Sequence, residues 1–402
     1  MTTRSTRPAD TYSPLYFLAS LGAGGLSVTF FMYLMFWVPH PGKPVPTFED
    51  ISAAFATGGP ALQAAIVIAV LGIAAMVFLN IKSLLWNLSA LSAFRKTKAY
   101  ETLRNSNAES TLAAMPLALA MTVNALFIVG LVFVPGLWSV VEYLFPLALV
   151  AFAAIGWIAF RIIGDFLGRV LSKGGLFDVT AHNSFAQMLP AFALSMVAVG
   201  LSAPASMSVN PATVGISLIL STFVGTAAIV YALLAITTAF SSMLQHGTAR
   251  EAGPTLMVVV PLMTVLGIMF LRQNHGLHGF GVEVGAGDTM MLTARLLAVQ
   301  VLFLMLGMLV LIRQEYFKDF VFGEKTSPGS YALVCPGVAL SVMIQFFVNK
   351  GLVGAGLVEK FGTAYWIVTA VALLAQVAMI ALVLRLNRQH FSREKAATVP
   401  AE

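Results

Sequence analysis

One thiol, a few recurring serines and a short run of histidines are the side chains of this sequence that could do chemistry. The thiol is Cys335, the only cysteine among 402 residues. It stands directly before Pro336 in the stretch 331–350, YALVCPGVALSVMIQFFVNK. A thiolate is a nucleophile and a metal ligand, so Cys335 could ligate or reduce a soft oxyanion of sulfur, selenium or tellurium. Against this, most free cysteines are small buried apolar groups. Apolar surroundings keep a thiol protonated and inert, and the chain has no second cysteine to resolve a mixed disulfide. Packing is the simpler of the two readings. Ser27, Ser195 and Ser341 recur at one position of a sequence repeat and are the candidate polar contacts for a passing substrate. Arg272, His275 and His278 fall in RQNHGLHG, read as an outside loop, with His40 in another. An H-x-x-H pair without thiolate or nearby carboxylate is a weak metal pattern, and no metal site is assigned. No histidine lies mid-span to ligate haem in pairs, and no phosphate-binding G-x-x-x-x-G-K-(S/T) occurs. No cofactor is therefore assigned. No carboxylate sits clearly at mid-membrane, which argues against an acidic proton or cation relay.

The serines belong to a repeat. Aligned on proline, 186–200 (AQMLPAFALSMVAVG) and 331–350 both continue P-x-x-A-L-S. The stretch 18–31 fits if Gly22 takes the place of proline, and PLALAMT and PLMTVLG are looser copies. The anchors are Gly22, Pro116, Pro190, Pro261 and Pro336, spaced by 94, 74, 71 and 75 residues. Each spacing accommodates one helix out and one helix back across a bilayer. The repeat predicts five similar helical hairpins, each with one special helix.

Composition agrees. Hydrophobic residues make up 58% of the chain and charged residues only 10%, against about 25% charged in a soluble domain. The class is an all-α integral membrane protein. Ten apolar spans are predicted at 14–38, 62–88, 113–134, 138–161, 183–203, 212–240, 254–271, 289–313, 330–349 and 362–385. They form one transmembrane domain over 1–402, with short cytoplasmic tails at 1–13 and 386–402. The first residues lack the basic-then-apolar form of a cleaved leader, so the first span is expected to be retained. Most of the 23 Lys and Arg fall on one side if both termini are cytoplasmic, leaving Lys43, Arg272, Lys350 and Lys360 outside. The bias predicts an N-in, C-in topology. The net charge of +6 is spread over membrane ends and forms no continuous patch, so no nucleic-acid partner is expected. Membrane lipid is the expected partner. Arg161 and Asp165, four residues apart, are read as an interfacial ion pair.

Each odd span then starts inside and carries its anchor early. Proline there can kink a helix, and Gly22 can permit a similar bend. If the odd helices surround one axis, the residues before the anchors form a layer of Leu21, Met115, Leu189, Val260 and Cys335. Gly25, Leu119, Ala193, Thr264 and Ala339 follow four residues later on the same face. A bulky layer beside a mostly small one suits a constriction next to a vestibule, and apolar constrictions can gate by dewetting. Close packing of membrane helices by small residues explains the same pattern.

Ten spans, five hairpins and a proline in most inner helices resemble the tellurite-resistance / C4-dicarboxylate transporter family, which includes the plant slow anion channels. The P-x-x-A-L-S elements and the ninth span carry the motif-level resemblance. It implies a quasi-fivefold bundle with odd helices inside and even helices outside, a central anion pore, and a homotrimer. In that family a phenylalanine before the ninth-helix proline blocks the pore. Here Cys335 holds the matching position, so the gate is absent, lies elsewhere (Phe346 or Phe347), or is replaced by a thiol-dependent step. The chain also resembles TsoY, a bacterial membrane family of (seleno)proteins, through the lone cysteine in VCPGV. That resemblance implies selenocysteine at the position of Cys335 in some relatives, and with it redox or soft-ligand chemistry.

Two functions follow as expectations. One is an anion channel or transporter of a bacterial inner membrane, passing oxyanions of sulfur, selenium or tellurium or small carboxylates through an electropositive conduit. The other is a membrane thiol redox protein acting through Cys335.

Overall fold

The computed structural model describes residues 9–173, 178, 180 and 184–391. The end segments 1–8 and 392–402, which carry most of the predicted tails, lie outside the described residues. All ten predicted spans are helices long and apolar enough to cross a membrane. Their main α-helical segments are α1 (Phe17–Trp37), α2 (Pro60–Phe94), α3 (Ala114–Phe133), α4 (Leu137–Lys173), α5 (Leu189–Leu201), α6 (Pro211–His246), α7 (Val259–Leu277), α8 (Ala286–Arg313), α9 (Val334–Phe346) and α10 (Thr363–Phe391). Several outrun the apolar stretch that predicts them, because a helix does not stop where hydropathy falls. Residues 386–391, read as tail, are the last turns of α10.

Burial divides the spans by parity. In odd spans 56–94% of the apolar core is inside the molecule, in even spans 22–33%. Large apolar side chains such as Phe78, Trp157, Phe223 and Leu374 are exposed on the even helices, where lipid takes the place of protein. Among the odd helices, α1 packs on α3 and α9, α3 on α5, α5 on α7, and α7 on α9. These contacts close a ring. The even helices lie against it: α2 on α1, α4 on α3 and α5, α6 on α5, α8 on α7, and α10 on α9.

Lipid tails are as apolar as leucine, so membrane helices gain by close packing rather than by hydrophobic burial alone. Glycines on α1 allow it. A Cβ on Gly22 would lie 2.9 Å from Val334, one on Gly25 2.9 Å from Val338, and one on Gly24 2.8 Å from Met121. Gly22 thus sits inside a continuous helix and admits α9 at close approach.

The prolines behave differently from expectation too. Each odd span opens with a 3-10 turn, at Pro14–Tyr16, Asn107–Ala113, Phe185–Met188, Arg250–Met257 and Pro328–Leu333. Pro116, Pro190, Pro261 and Pro336 stand second or third in the α-helix that follows. In the first turn the missing N–H costs little and the fixed φ suits the helix. They mark the change from 3-10 to α and none of them stands at mid-span.

Candidate functional site

A cavity of about 560 Å³ lies inside the ring of odd helices, and all five line it. Its floor is at the anchor level, with Leu21, Phe192, Pro261 and Cys335. Its mouth is at the C-terminal ends, with Met35, Met207, His278 and Lys350. From Leu21 to Met35 the rise is about 21 Å at 1.5 Å per residue. Below the floor is a second space of about 10 Å³, and Phe192, Pro261 and Cys335 border both. A space that small is at the limit for a single water.

The expected constriction layer is split. Leu21 and Cys335 line the floor, Leu189 lines only the small space beneath, and Met115 and Val260 line neither. Val260 instead belongs to a separate buried cluster with Tyr316 and Phe320. Position in the helix does not decide this: Met115, Val260 and Cys335 are each the second residue of their α-helix, yet of the three only Cys335 faces the cavity. Of the layer above, Gly25, Thr264 and Ala339 line the cavity, while Leu119 and Ala193 do not. The bulky group that completes the floor is Phe192, two residues after Pro190. Phe346 lines the upper wall and Phe347 does not.

The serines are not on the wall. Ser27 Oγ donates to the Gly24 carbonyl at 2.6 Å, Ser195 Oγ to the Phe192 carbonyl at 2.8 Å, and both are fully buried. Ser341 is buried and also lies off the cavity. Hydroxyls back-bonded to the preceding turn satisfy their own helix.

The charge lies near the mouth. Arg272, read as a loop residue, is inside α7, which continues to Leu277, and it lines the cavity with His275, His278 and Lys350. Among the described residues no Asp or Glu lines it. Arg272 Nη1 donates to the Val199 carbonyl at 2.7 Å, and among the described residues no carboxylate forms an ion pair with it. Its remaining N–H groups are left for the cavity. The sequence places it through a broken helix. Pro204 has no N–H to continue α5, so the span stops at Leu201 and resumes as the short helix Ala203–Met207. The break frees carbonyls, and cations favour a helix C-terminus. Ser202 Oγ donates to the Val199 carbonyl at 2.9 Å, alongside Arg272. Ser217 of α6 splints the gap: its Oγ donates to the Leu201 carbonyl at 2.6 Å and accepts from the Ala205 N–H at 2.9 Å. Gly276 permits the contact, since a Cβ there would meet the Ala205 carbonyl oxygen at 2.7 Å. The last part of the ninth span is also irregular, a π-helical stretch Phe347–Val353 that carries Lys350.

The chain matches no family model, no curated protein and no solved structure.

Other signals resolve as structural. The His275 and His278 rings lie tilted against each other with centroids 5.6 Å apart, and among the described residues no third His, Cys, Asp or Glu joins them. Arg161 and Asp165 form no ion pair. One helical turn after Asp165, Arg169 pairs with buried Glu109, which Arg104 also contacts at 3.1 Å. Cys335 is a free buried thiol whose neighbours around the small space are apolar apart from Thr255, among them Leu18, Leu189 and Val258. The loop 39–59 covers part of the mouth through Pro44 and Val45. It is held by a Lys43–Asp50 ion pair at 2.8 Å and by the Gly136 N–H donating to Glu49 at 2.6 Å.

Proposed function

We propose that the protein is an anion channel or transporter of a bacterial inner membrane. In this reading five hairpins stand in quasi-fivefold arrangement, with both termini in the cytoplasm and the vestibule opening outward. The observation that carries it is the Arg272 guanidinium on the wall of a cavity enclosed by all five odd helices, where among the described residues no carboxylate pairs with it and no acid lines the space. A fixed cation between low-dielectric walls draws anions in and repels cations. The cations stand near the mouth, so this end supplies the field that draws anions in. The helix C-termini that surround the mouth carry partial negative charge, and Arg272 and Lys350 offset it. Leu21, Phe192 and Cys335 close the floor, and passage requires these side chains to move apart. Small carboxylates and oxyanions of sulfur, selenium or tellurium are the substrate classes to compare.

Anion efflux from proteoliposomes tests this reading. Arg272→Gln is expected to lower anion flux at least tenfold, with vesicles that remain tight to cations. Cation flux in place of anion flux, or anion flux untouched by Arg272→Gln, contradicts it. Cys335→Ala is expected to keep the flux. Its loss would move the thiol chemistry to the centre.

A further inference from the structure

We infer that the preferred occupant of the vestibule is an amphiphilic monocarboxylate, with its head on Arg272 and its apolar body lying toward the floor. The inference rests on the reading above that the vestibule admits anions, and it names which anions fit.

Size and charge are mismatched for a small hydrated ion. The cavity of about 560 Å³ falls in the range of about 300–1,000 Å³ used for ligands of drug size. Arg272 is the fixed cation on its inner wall; Lys350 and His278 are exposed at the mouth. Arg272 stands eleven residues after Pro261 on α7, about 16 Å above the floor by helical rise.

The wall between those levels offers an anion nothing. Met121, Met196, Val265, Ile268, Val338 and Val342 are apolar. The polar side chains at this depth are already engaged. Thr264 Oγ1 donates to the Ala339 carbonyl at 3.0 Å and accepts from Gln300 Nε2 at 2.5 Å. Asn124 Nδ2 donates to the Ala120 carbonyl at 3.1 Å. A doubly charged or strongly hydrated anion in this region would lose its water without gaining donors, which is costly. An alkyl or aryl body gains from the same walls. A guanidinium fork matches a carboxylate with two parallel hydrogen bonds, and Arg272 has N–H groups to spare after its bond to Val199.

The test is equilibrium binding of a series of linear monocarboxylates, from acetate to dodecanoate, to the full chain in lipid nanodiscs. Binding to protein-free nanodiscs is subtracted, and the matched primary alcohols are measured in parallel. Affinity is expected to rise roughly fourfold for each methylene buried. Each long carboxylate is expected to bind at least tenfold tighter than its alcohol. Arg272→Gln should remove that preference, and Arg272→Lys should keep part of it. Met196→Trp, which fills the apolar space and leaves the head site, is expected to weaken the long chains and spare acetate. Affinity independent of chain length, or equal for carboxylate and alcohol, overturns the inference even if short anions cross the membrane. Chain-length-dependent binding that needs Arg272 supports it even if no flux is found, in which case only the passage reading fails.

Discussion

At the scale of single residues the vestibule works through a few side chains of opposite character. Phe192 is the largest group in its floor and touches the space on either side. Truncating a buried phenylalanine costs about 3–5 kcal/mol, so Phe192→Ala is expected to lower thermal stability. It is also expected to raise anion leak, and Phe192→Leu should show a smaller change of the same sign in both. A more stable or tighter protein would remove Phe192 from the floor. Glu109 has no contact with the cavity, yet it is buried between Arg104 and Arg169 and ties the entry of α3 to the end of α4. Glu109→Gln keeps the shape and removes the charge. It is expected to destabilise by about 1–3 kcal/mol, read as a lower melting temperature with wild-type flux per folded molecule.

At the scale of elements the broken fifth span is the device that aims Arg272. Ser217→Ala leaves the Ala205 N–H and the Leu201 carbonyl without their shared partner. Each buried group left unpaired costs about 1–3 kcal/mol. The variant should unfold at lower temperature and lose anion selectivity together, whereas Ser221→Ala, off this break, should leave selectivity intact. A second element titrates. The Gly136 N–H holds Glu49 below the usual carboxylate range. Burial pushes Asp50 up, but Lys43 and Thr47 outweigh it and hold it below its usual value. Groups whose folded pKa is depressed stabilise above the unfolded value, here roughly 4, and lose that stabilisation as pH falls through the folded one. Protection of the 39–59 loop from proteolysis or hydrogen exchange is therefore expected to hold at neutral pH and to fall below about pH 4. Protection that rises on acidification would contradict this sign.

At the scale of the whole molecule, hydropathy and the spacing of Pro116, Pro190, Pro261 and Pro336 made the ten spans legible in sequence, and parity of burial follows them. The site was legible in part. Leu21 and Cys335 reach the floor, because the anchors mark a common depth along the helices. Depth is not facing, however: Met115, Val260 and Cys335 hold the same place in their α-helices, yet of the three only Cys335 lines the cavity. Arg272 was misplaced for a different reason: the apolar run ends at Leu271, but the helix does not. A charged residue can continue an inner helix where the wall faces a cavity instead of lipid. Phe192 gave no signal among 29 phenylalanines, and the splint at Ser217 was readable only as Ser202-Ala203-Pro204 interrupting an apolar span. Ser27 and Ser195 misled because recurrence at one repeat position is equally served by a hydroxyl bonded to its own helix.

In the proposed channel the odd helices enclose an aqueous path, open at their C-terminal ends and shut at the level of Cys335. The single native cysteine makes this testable without substitution. Small hydrophilic methanethiosulfonate reagents, cationic and anionic, would be applied from either side of sealed, oriented vesicles. Modification of Cys335 is expected from the outer side only, faster with the anionic reagent, and slowed by an anion held at Arg272. No modification of folded protein from the outer side, or modification from the cytoplasmic side alone, would contradict the account.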